Sequence, residues 1–108
     1  LAIITNDGWW GNTSGHKQHL QYAALRAIET RTWVARSANT GISAVIDPLG
    51  NIVAQKGWDE RAVIKYSIPT KSTLTFYAKH GDWLYQIFSI FAVLLLLQGL
   101  YKRFKKNP

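Results

Sequence analysis

The longest uncharged stretch of the sequence runs from Trp83 to Tyr101 and constrains the fold more than any other feature. Its 19 residues include four consecutive leucines at positions 94–97. A transmembrane helix needs about 20 predominantly apolar residues to cross about 30 Å of hydrocarbon. Trp83, Tyr85 and Tyr101 lie near the two ends, where aromatic rings favour the membrane interface. A buried helix of a soluble protein is the alternative, but the stretch has no polar face, so we predict a transmembrane helix over 83–101.

The charges around this stretch predict its orientation. Residues 1–82 hold nine Lys or Arg and six Asp or Glu, whereas residues 83–108 hold four cations and no acid. These cations (Lys102, Arg103, Lys105 and Lys106) directly follow the apolar stretch, which favours the positive-inside interpretation over nucleic-acid binding. We therefore expect a basic cytoplasmic tail over 102–108. Residues 1–82 would then lie on the other side of the membrane, which is the periplasm in a Gram-negative cell.

Residues 1–68 alternate between strand and helix patterns, which predicts an α/β domain. Short apolar runs bounded by turn residues predict strands at Leu1–Thr5, Trp33–Ser37, Ile42–Ile46, Ile52–Ala54 and Ala62–Ile68. The run at Leu1 has no starting Met and no polar lead-in, so we expect the chain to begin within a fold. Residues 69–82 are polar and aromatic without a clear period, which predicts an extended connector to the membrane.

One helix is predicted between the first two strands. Its apolar stripe consists of Leu20, Ala23, Ala24, Ala27 and Ile28, and it should run from an N-cap at Ser14 to about Thr32. Leu25 falls off the stripe, which suggests a second contact, and Arg26 and Glu29 have the i, i+3 spacing of a surface pair. Asp47-Pro48-Leu49-Gly50 fits a type I turn that joins two strands into a hairpin.

Seven short motifs follow one another in an order that resembles the apolipoprotein N-acyltransferase family of the nitrilase (carbon–nitrogen hydrolase) superfamily. The motifs are Thr5–Gly11, Gln18–Gln21, Arg26–Glu29, Ala38–Ile42, Val45–Gly50, Leu74–Ala78 and Gly81–Trp83. Each motif alone is weak, but their order together with a final membrane helix is specific, and the resemblance covers nearly the whole chain. It implies the C-terminal part of a nitrilase-like αββα sandwich followed by one C-terminal transmembrane helix.

The resemblance also implies a reaction on lipid. Members of the family move an acyl chain from a phospholipid to the N-terminal amine of a diacylglyceryl-cysteine lipoprotein, through a thioester on a Cys that a Glu base and a Lys assist. All three positions precede the segment that matches this chain, which contains no Cys. We therefore assign no catalytic residue here; Glu29 belongs to the helix motif. The family further implies a monomer in the bacterial inner membrane, without a cofactor.

The tryptophan loop is the best functional candidate among the residues present. Trp9 and Trp10 are candidates for the substrate pocket, although core or membrane-interface anchoring is the alternative. Asn39 and Thr40 could border the same pocket or simply form a turn. The remaining loop residues are expected to shape its backbone (Asn6, Gly8 and Gly11).

The three histidines give no further site. His16, His19 and His80 are scattered without the spacing of metal ligands, which disfavours a metal site. His19 has no acidic partner that the sequence reveals, so we expect it to be structural.

Two other functions remain open from the sequence. A membrane-tethered nitrilase-like amidase would share the thioester chemistry but use water as the acceptor. A non-catalytic, membrane-anchored module would need none of the upstream catalytic residues. A lipid-sized pocket would favour acyl transfer, and a narrow polar pocket would favour hydrolysis.

Overall fold

A computed structural model describes residues 1–70 and 73–106, with the side chain of Lys106 outside the description. Two predictions fall partly outside these ranges. They are the connector at 71–72 and the end of the basic tail at 107–108. The rest of the chain forms a small α/β unit followed by two helices.

A four-stranded sheet forms the centre of the α/β unit, in the order β1-β2-β3-β4. Its strands are β1 (Ala2–Thr5), β2 (Val34–Ala38), β3 (Ser43–Ile46) and β4 (Ile52–Lys56). β1 pairs with β2 in parallel, and β3 pairs antiparallel with both β2 and β4. A parallel pair needs a crossover connection, and the helix α1 (Ser14–Thr30) supplies it. The predicted α/β class and the first four strands are therefore confirmed, with small shifts at their ends.

Both ends of α1 differ slightly from the prediction. The N-cap is Thr13 rather than Ser14, because the Thr13 hydroxyl accepts a hydrogen bond from the Gly15 amide at 3.3 Å. At the other end, Arg31 adopts the left-handed conformation (φ 51°), and its amide donates to the carbonyls of Ala27 and Ile28. This left-handed residue ends the helix two residues before the predicted Thr32.

The core lies between α1 and one face of the sheet. The buried members of the predicted stripe pack against side chains of β2 and β3, and the core consists of Leu20, Ala23, Ala27, Val34, Ala44 and Ile46. Leu25 is exposed in the described structure, so the second contact expected for it is not seen. Arg26 and Glu29 form the predicted surface pair, with Nη1 and Oε2 2.5 Å apart.

The predicted β3–β4 hairpin is also confirmed. The Gly50 amide donates to the Asp47 carbonyl at 3.0 Å, which closes the turn. The Asp47 carboxylate accepts from the amides of Leu49 and Asn51 at 2.8 and 2.9 Å. These bonds explain why an Asp stands at the first position of the turn.

The predicted strand over Ala62–Ile68 is wrong. This segment is not part of the sheet; instead Ala62, Val63 and Ile64 line a cavity of about 420 Å³ together with residues of β1, β2 and β3. The ring of Tyr66 packs on that of Trp33 at 5.8 Å between centroids. The segment therefore runs beside the sheet without joining it, and the alternating pattern does not distinguish this arrangement from strand pairing.

Two helices end the chain, and one of them lies where an extended connector was expected. α2 (Phe76–His80) begins at an N-cap, Thr75, whose hydroxyl accepts from the Ala78 amide at 3.0 Å. α3 runs over Trp83–Lys106 and contains the predicted apolar stretch. Within the described residues it is the one helix long and apolar enough, by length and composition, to cross a membrane.

Candidate functional site

Two loops meet at the carboxyl ends of the parallel strands β1 and β2. The first loop (residues 6–13) follows β1, and the second (residues 39–42) follows β2. The Asn39 amide donates to the Thr5 carbonyl at 3.0 Å, and a Cβ atom on Gly8 would lie 3.2 Å from the Thr40 hydroxyl oxygen. The parallel pairing therefore places side by side the two loops that carry the four residues proposed for the pocket. In α/β sheets, ligands bind preferentially at such carboxyl ends.

The three residues expected to shape the first loop have the backbone features for that task. The Gly8 amide donates to the side-chain oxygen of Asn6 at 3.2 Å, which starts the turn. Residues Gly8–Trp10 form a single 3-10 turn, and Gly11 follows it at φ 57°. This φ lies in the left-handed region that favours glycine.

The two tryptophans of the loop differ in their surroundings. Trp9 is 85% exposed, whereas Trp10 is 45% exposed. Trp10 meets the ring of His19 edge to face, with centroids 5.2 Å apart. A Cβ atom on Gly15 would lie 2.8 Å from Trp10, so the indole packs closely against the start of α1. Trp10 is thus anchored to the domain, while Trp9 is free of it.

A buried ion pair lies beneath this loop. Asp7 and Arg36 both have fully buried side chains, and Asp7 Oδ2 lies 2.5 Å from Arg36 Nη2. Asp7 is the second residue after β1, and Arg36 is the middle residue of β2. Buried charges are stable in a protein when they are paired and hydrogen-bonded. The pair therefore fixes the base of the first loop to the sheet.

The second oxygen of Asp7 binds two more donors. Thr5 Oγ1 donates to Asp7 Oδ1 at 2.9 Å, and His19 Nδ1 lies 2.9 Å from the same oxygen. We assign the proton to Nδ1, because a carboxylate can only accept. Burial raises the pKa of Asp7, but the bonds from His19 and Thr5 and the charge of Arg36 outweigh it and lower the pKa below its ordinary value. With both oxygens occupied, this carboxylate is suited to anchoring rather than to proton transfer.

Gly41 allows this anchor to form. A Cβ atom at this position would lie 2.1 Å from Asp7 Oδ2 and 2.6 Å from Asp7 Cβ. Such distances are far inside van der Waals contact, so any larger residue would displace the carboxylate. The Ala38–Ile42 motif therefore carries a glycine for a steric reason.

The sequence does not reveal this cluster. It shows no acidic partner for His19, whereas in the folded chain His19 contacts Asp7, 12 residues away in sequence. The structural role expected for His19 stays a prediction. One signal was present: Arg36 directly follows the apolar residues Val34 and Ala35 in a predicted strand, and a buried charge needs a partner. The sequence did not reveal which of six acids would provide it.

The buried cluster can hold the first loop in place, but the residues of the site do not form a nucleophilic centre. The sequence contains no Cys. Over residues 1–70 and 73–106, no group of three His, Cys, Asp or Glu could hold a metal ion.

A cavity of about 180 Å³ lies beside the cluster of Asp7, His19 and Arg36. Its lining residues are His19, Arg36, Ile3, Tyr22, Ala23 and Arg26. Inside the described structure, Arg36 Nε and Nη1 are buried without a hydrogen-bond partner.

Comparison with known proteins gives one consistent result. A curated apolipoprotein N-acyltransferase of Bradyrhizobium diazoefficiens is 45% identical over 98 residues, which are 91% of this chain and 18% of that protein. The proteins of the same name from Rhodopseudomonas palustris and Chlorobaculum tepidum are 44% and 38% identical; each match covers 95% of this chain and 19% or 20% of the relative. The chain thus spans about a fifth of the length of these relatives.

A family model gives the broader assignment. The model described as carbon-nitrogen hydrolase matches residues 1–76, which include the whole sheet, α1 and both loops of the candidate site. This match covers well over half of the chain. The chain therefore belongs to the carbon-nitrogen hydrolase family.

Proposed function

We propose that this chain is part of an N-acyltransferase that moves an acyl chain from a phospholipid to the N-terminal amine of a diacylglyceryl-cysteine lipoprotein. One observation carries the proposal: the similarity to apolipoprotein N-acyltransferases covers 91–99% of the chain among the relatives from Bradyrhizobium and Rhizobium meliloti. The family model ends at residue 76. The similarity therefore continues through most of α3, the part that soluble nitrilases lack.

The proposed chemistry proceeds through a thioester. A Cys thiolate attacks the ester carbonyl of the phospholipid, and the lysophospholipid leaves as an alcohol. A Glu acts as the base in this step, and a Lys assists it. The lipoprotein amine then attacks the thioester, which forms an amide and restores the thiol. Because this chain has no Cys, the Cys, Glu and Lys would come from sequence upstream of the matched segment.

Within that enzyme, the chain would supply one wall of the acyl pocket and part of the αββα sandwich. Trp9, Trp10, Asn39 and Thr40 share one edge of the sheet, and the exposed indole of Trp9 presents a large apolar surface there. The Asp7–Arg36 pair would hold this wall in place. An acyl chain has no polar groups along its length, so aromatic side chains suit its recognition.

The remaining assignments concern the membrane. We propose that residues 1–68 form the C-terminal part of the nitrilase-like domain, 69–82 the connector, 83–101 the transmembrane segment and 102–108 the basic tail. The similarity to N-acyltransferases and the one long apolar helix found among the described residues suggest a membrane protein. The cations after Tyr101 favour a cytoplasmic tail in the inner membrane, with residues 1–82 in the periplasm. We further propose that the enzyme acts as a monomer.

The test is an acyl-transfer assay on the protein that contains this chain together with its upstream sequence. It would be reconstituted with a phospholipid bearing a labelled acyl chain and a diacylglyceryl-cysteine peptide, and the peptide would be analysed by mass spectrometry. We expect one added acyl group on the α-amine and loss of transfer when the upstream Cys is replaced by Ala. Hydrolysis of small amides without transfer would instead support the amidase, and neither reaction would support the non-catalytic module.

A further inference from the structure

The segment between the α/β unit and α3 carries large exposed apolar side chains. Leu74 is 82% exposed and Phe76 is 62% exposed, and Tyr77 is also exposed. Lys79 and His80 follow in the last turn of α2. We call residues 74–83 the α2 segment. Its composition, with aromatic and aliphatic side chains beside a cation, is that of chain lying at a membrane surface.

The α2 segment is held close to the start of α3. Two residues, Gly81 and Asp82, separate α2 from α3, and three Cα–Cα steps reach at most about 11 Å. The ring of Phe76 meets that of Trp83 edge to face at 5.9 Å between centroids. Phe76 therefore lies in ring contact with the first residue of α3.

The α2 segment is also attached to the α/β unit. Thr75 Oγ1 donates to the carbonyl of Glu29, near the end of α1, at 2.5 Å. The same hydroxyl caps α2 by accepting from the Ala78 amide. This one side chain thus connects the last turn of α1 with the start of α2.

We infer that the α2 segment lies in the interfacial layer of the membrane that α3 crosses, with phospholipid headgroups and the first acyl methylenes as its partner. The inference rests on the membrane insertion of α3 in the proposed function. Each interfacial layer is about 5–7 Å thick, close to the ring distance between Phe76 and Trp83. Leu74 and Phe76 contact the methylenes, and Lys79 contacts lipid phosphate.

Lipid fits this surface better than a protein partner does because the surface is continuous with α3. Trp83 begins the apolar helix and touches Phe76 directly, so a bilayer that surrounds α3 reaches the α2 segment without a gap. The Thr75 link then determines how closely the end of α1 approaches the membrane.

The absence of Cys allows a direct test by single-cysteine labelling. Leu74→Cys and Tyr77→Cys variants of the chain would carry an environment-sensitive fluorophore in vesicles of phosphatidylethanolamine and phosphatidylglycerol. Quenching would be compared between aqueous iodide and lipids with a spin label at the headgroup or deep in the acyl chain. Gln55→Cys, on exposed β4, is the control for water, and Leu95→Cys, in α3, is the control for the bilayer interior.

We expect the fluorescence emission of labels at 74 and 77 to shift to shorter wavelength. The headgroup spin label should quench these two labels most. The label at 95 should be quenched most by the deep spin label, and the label at 55 only by iodide. Iodide quenching at 74 and 77 equal to that at 55, with 95 still in the bilayer, would overturn the inference and leave the membrane anchor intact. Protection from both iodide and lipid quenchers would show protein cover and also overturn it. Exposure of 95 to iodide would instead contradict insertion of α3.

Discussion

Asp7 and Arg36 form an ion pair with no exposed side-chain surface, although 29 residues separate them in sequence. The pair joins the loop after β1 to the middle of β2, and it continues through His19 to the ring of Trp10. A buried charge cluster thus supports the loop that we propose as one wall of the substrate pocket.

Replacing Arg36 with Met should destabilise the α/β unit strongly. The substitution leaves Asp7 as a buried charge without its main partner, which typically costs about 3–5 kcal/mol. The measurement is the free energy of unfolding from denaturant titration followed by circular dichroism. Arg26→Met is the matched control: Arg26 pairs with Glu29 at the surface, where ion pairs contribute at most about 1 kcal/mol. Equal losses in the two variants would contradict the importance of the buried pair.

Stability should fall in acid because of Asp7. The pKa of Asp7 is lowered in the folded chain, so folding favours the ionised carboxylate. The stabilisation is complete above the unfolded-state value of about 3.9 and is lost as pH falls through the lower folded-state pKa. Unfolding free energies at several pH values below about 5 should therefore fall more steeply in the parent chain than in Asp7→Asn.

Asp47→Asn serves as the comparison for this pH dependence. Its pKa is also lowered, first by the Asn51 side chain and then by backbone amides, but it lies in an exposed turn. In this variant, Asp7 should still contribute to the fall in the free energy of unfolding at low pH. If Asp7→Asn leaves the pH profile unchanged, Asp7 does not make that contribution.

Gly41→Ala should destabilise the chain by about 1–3 kcal/mol, the usual cost of overpacking. The added methyl group would meet the Asp7 carboxylate at 2.1 Å. Gly57→Ala is the matched control, because its methyl group would meet only a flexible Glu60 oxygen at 3.4 Å. Thermal unfolding of both variants measures the difference, and a tolerated Gly41→Ala would mean that Asp7 can move without cost.

Substitutions of the two loop tryptophans should have different effects on stability and on acyl transfer. Trp10→Ala removes the contact with His19 and the packing on Gly15, so it should lower stability by about 1 kcal/mol or more. Trp9 is almost fully exposed, so Trp9→Ala should change stability by less than about 0.5 kcal/mol. In the whole protein, Trp9→Ala should nevertheless slow acyl transfer. Unchanged transfer would remove Trp9 from the proposed pocket.

Residues 1–82 alone should aggregate. β1 is an edge of the sheet, and its Ile4 is 89% exposed. An exposed apolar edge strand favours pairing with other chains. Light scattering after size-exclusion chromatography measures this, and a monomer with a cooperative melting transition would instead favour the anchored-module hypothesis.

Local patterns were enough to predict most elements of the fold. The apolar stripe of α1, the Asp47–Gly50 turn and the uncharged stretch of α3 each depend on neighbours within a few residues, so the sequence displays them directly. The strand predicted at Ala62–Ile68 failed for the opposite reason. The alternating pattern is the same whether or not the segment pairs with a neighbouring strand, and only the folded chain shows that it stays outside the sheet.

Tertiary structure alone determined how the candidate site is assembled. The sequence identified the tryptophan loop and the Asn39–Thr40 loop separately, but parallel pairing of β1 with β2 places them at one edge. The cluster of Asp7, His19 and Arg36 joins three elements, and its members are visible in sequence only as isolated polar residues. Long-range pairing of buried charges depends on which strands become neighbours, and that choice is made by packing rather than by local sequence.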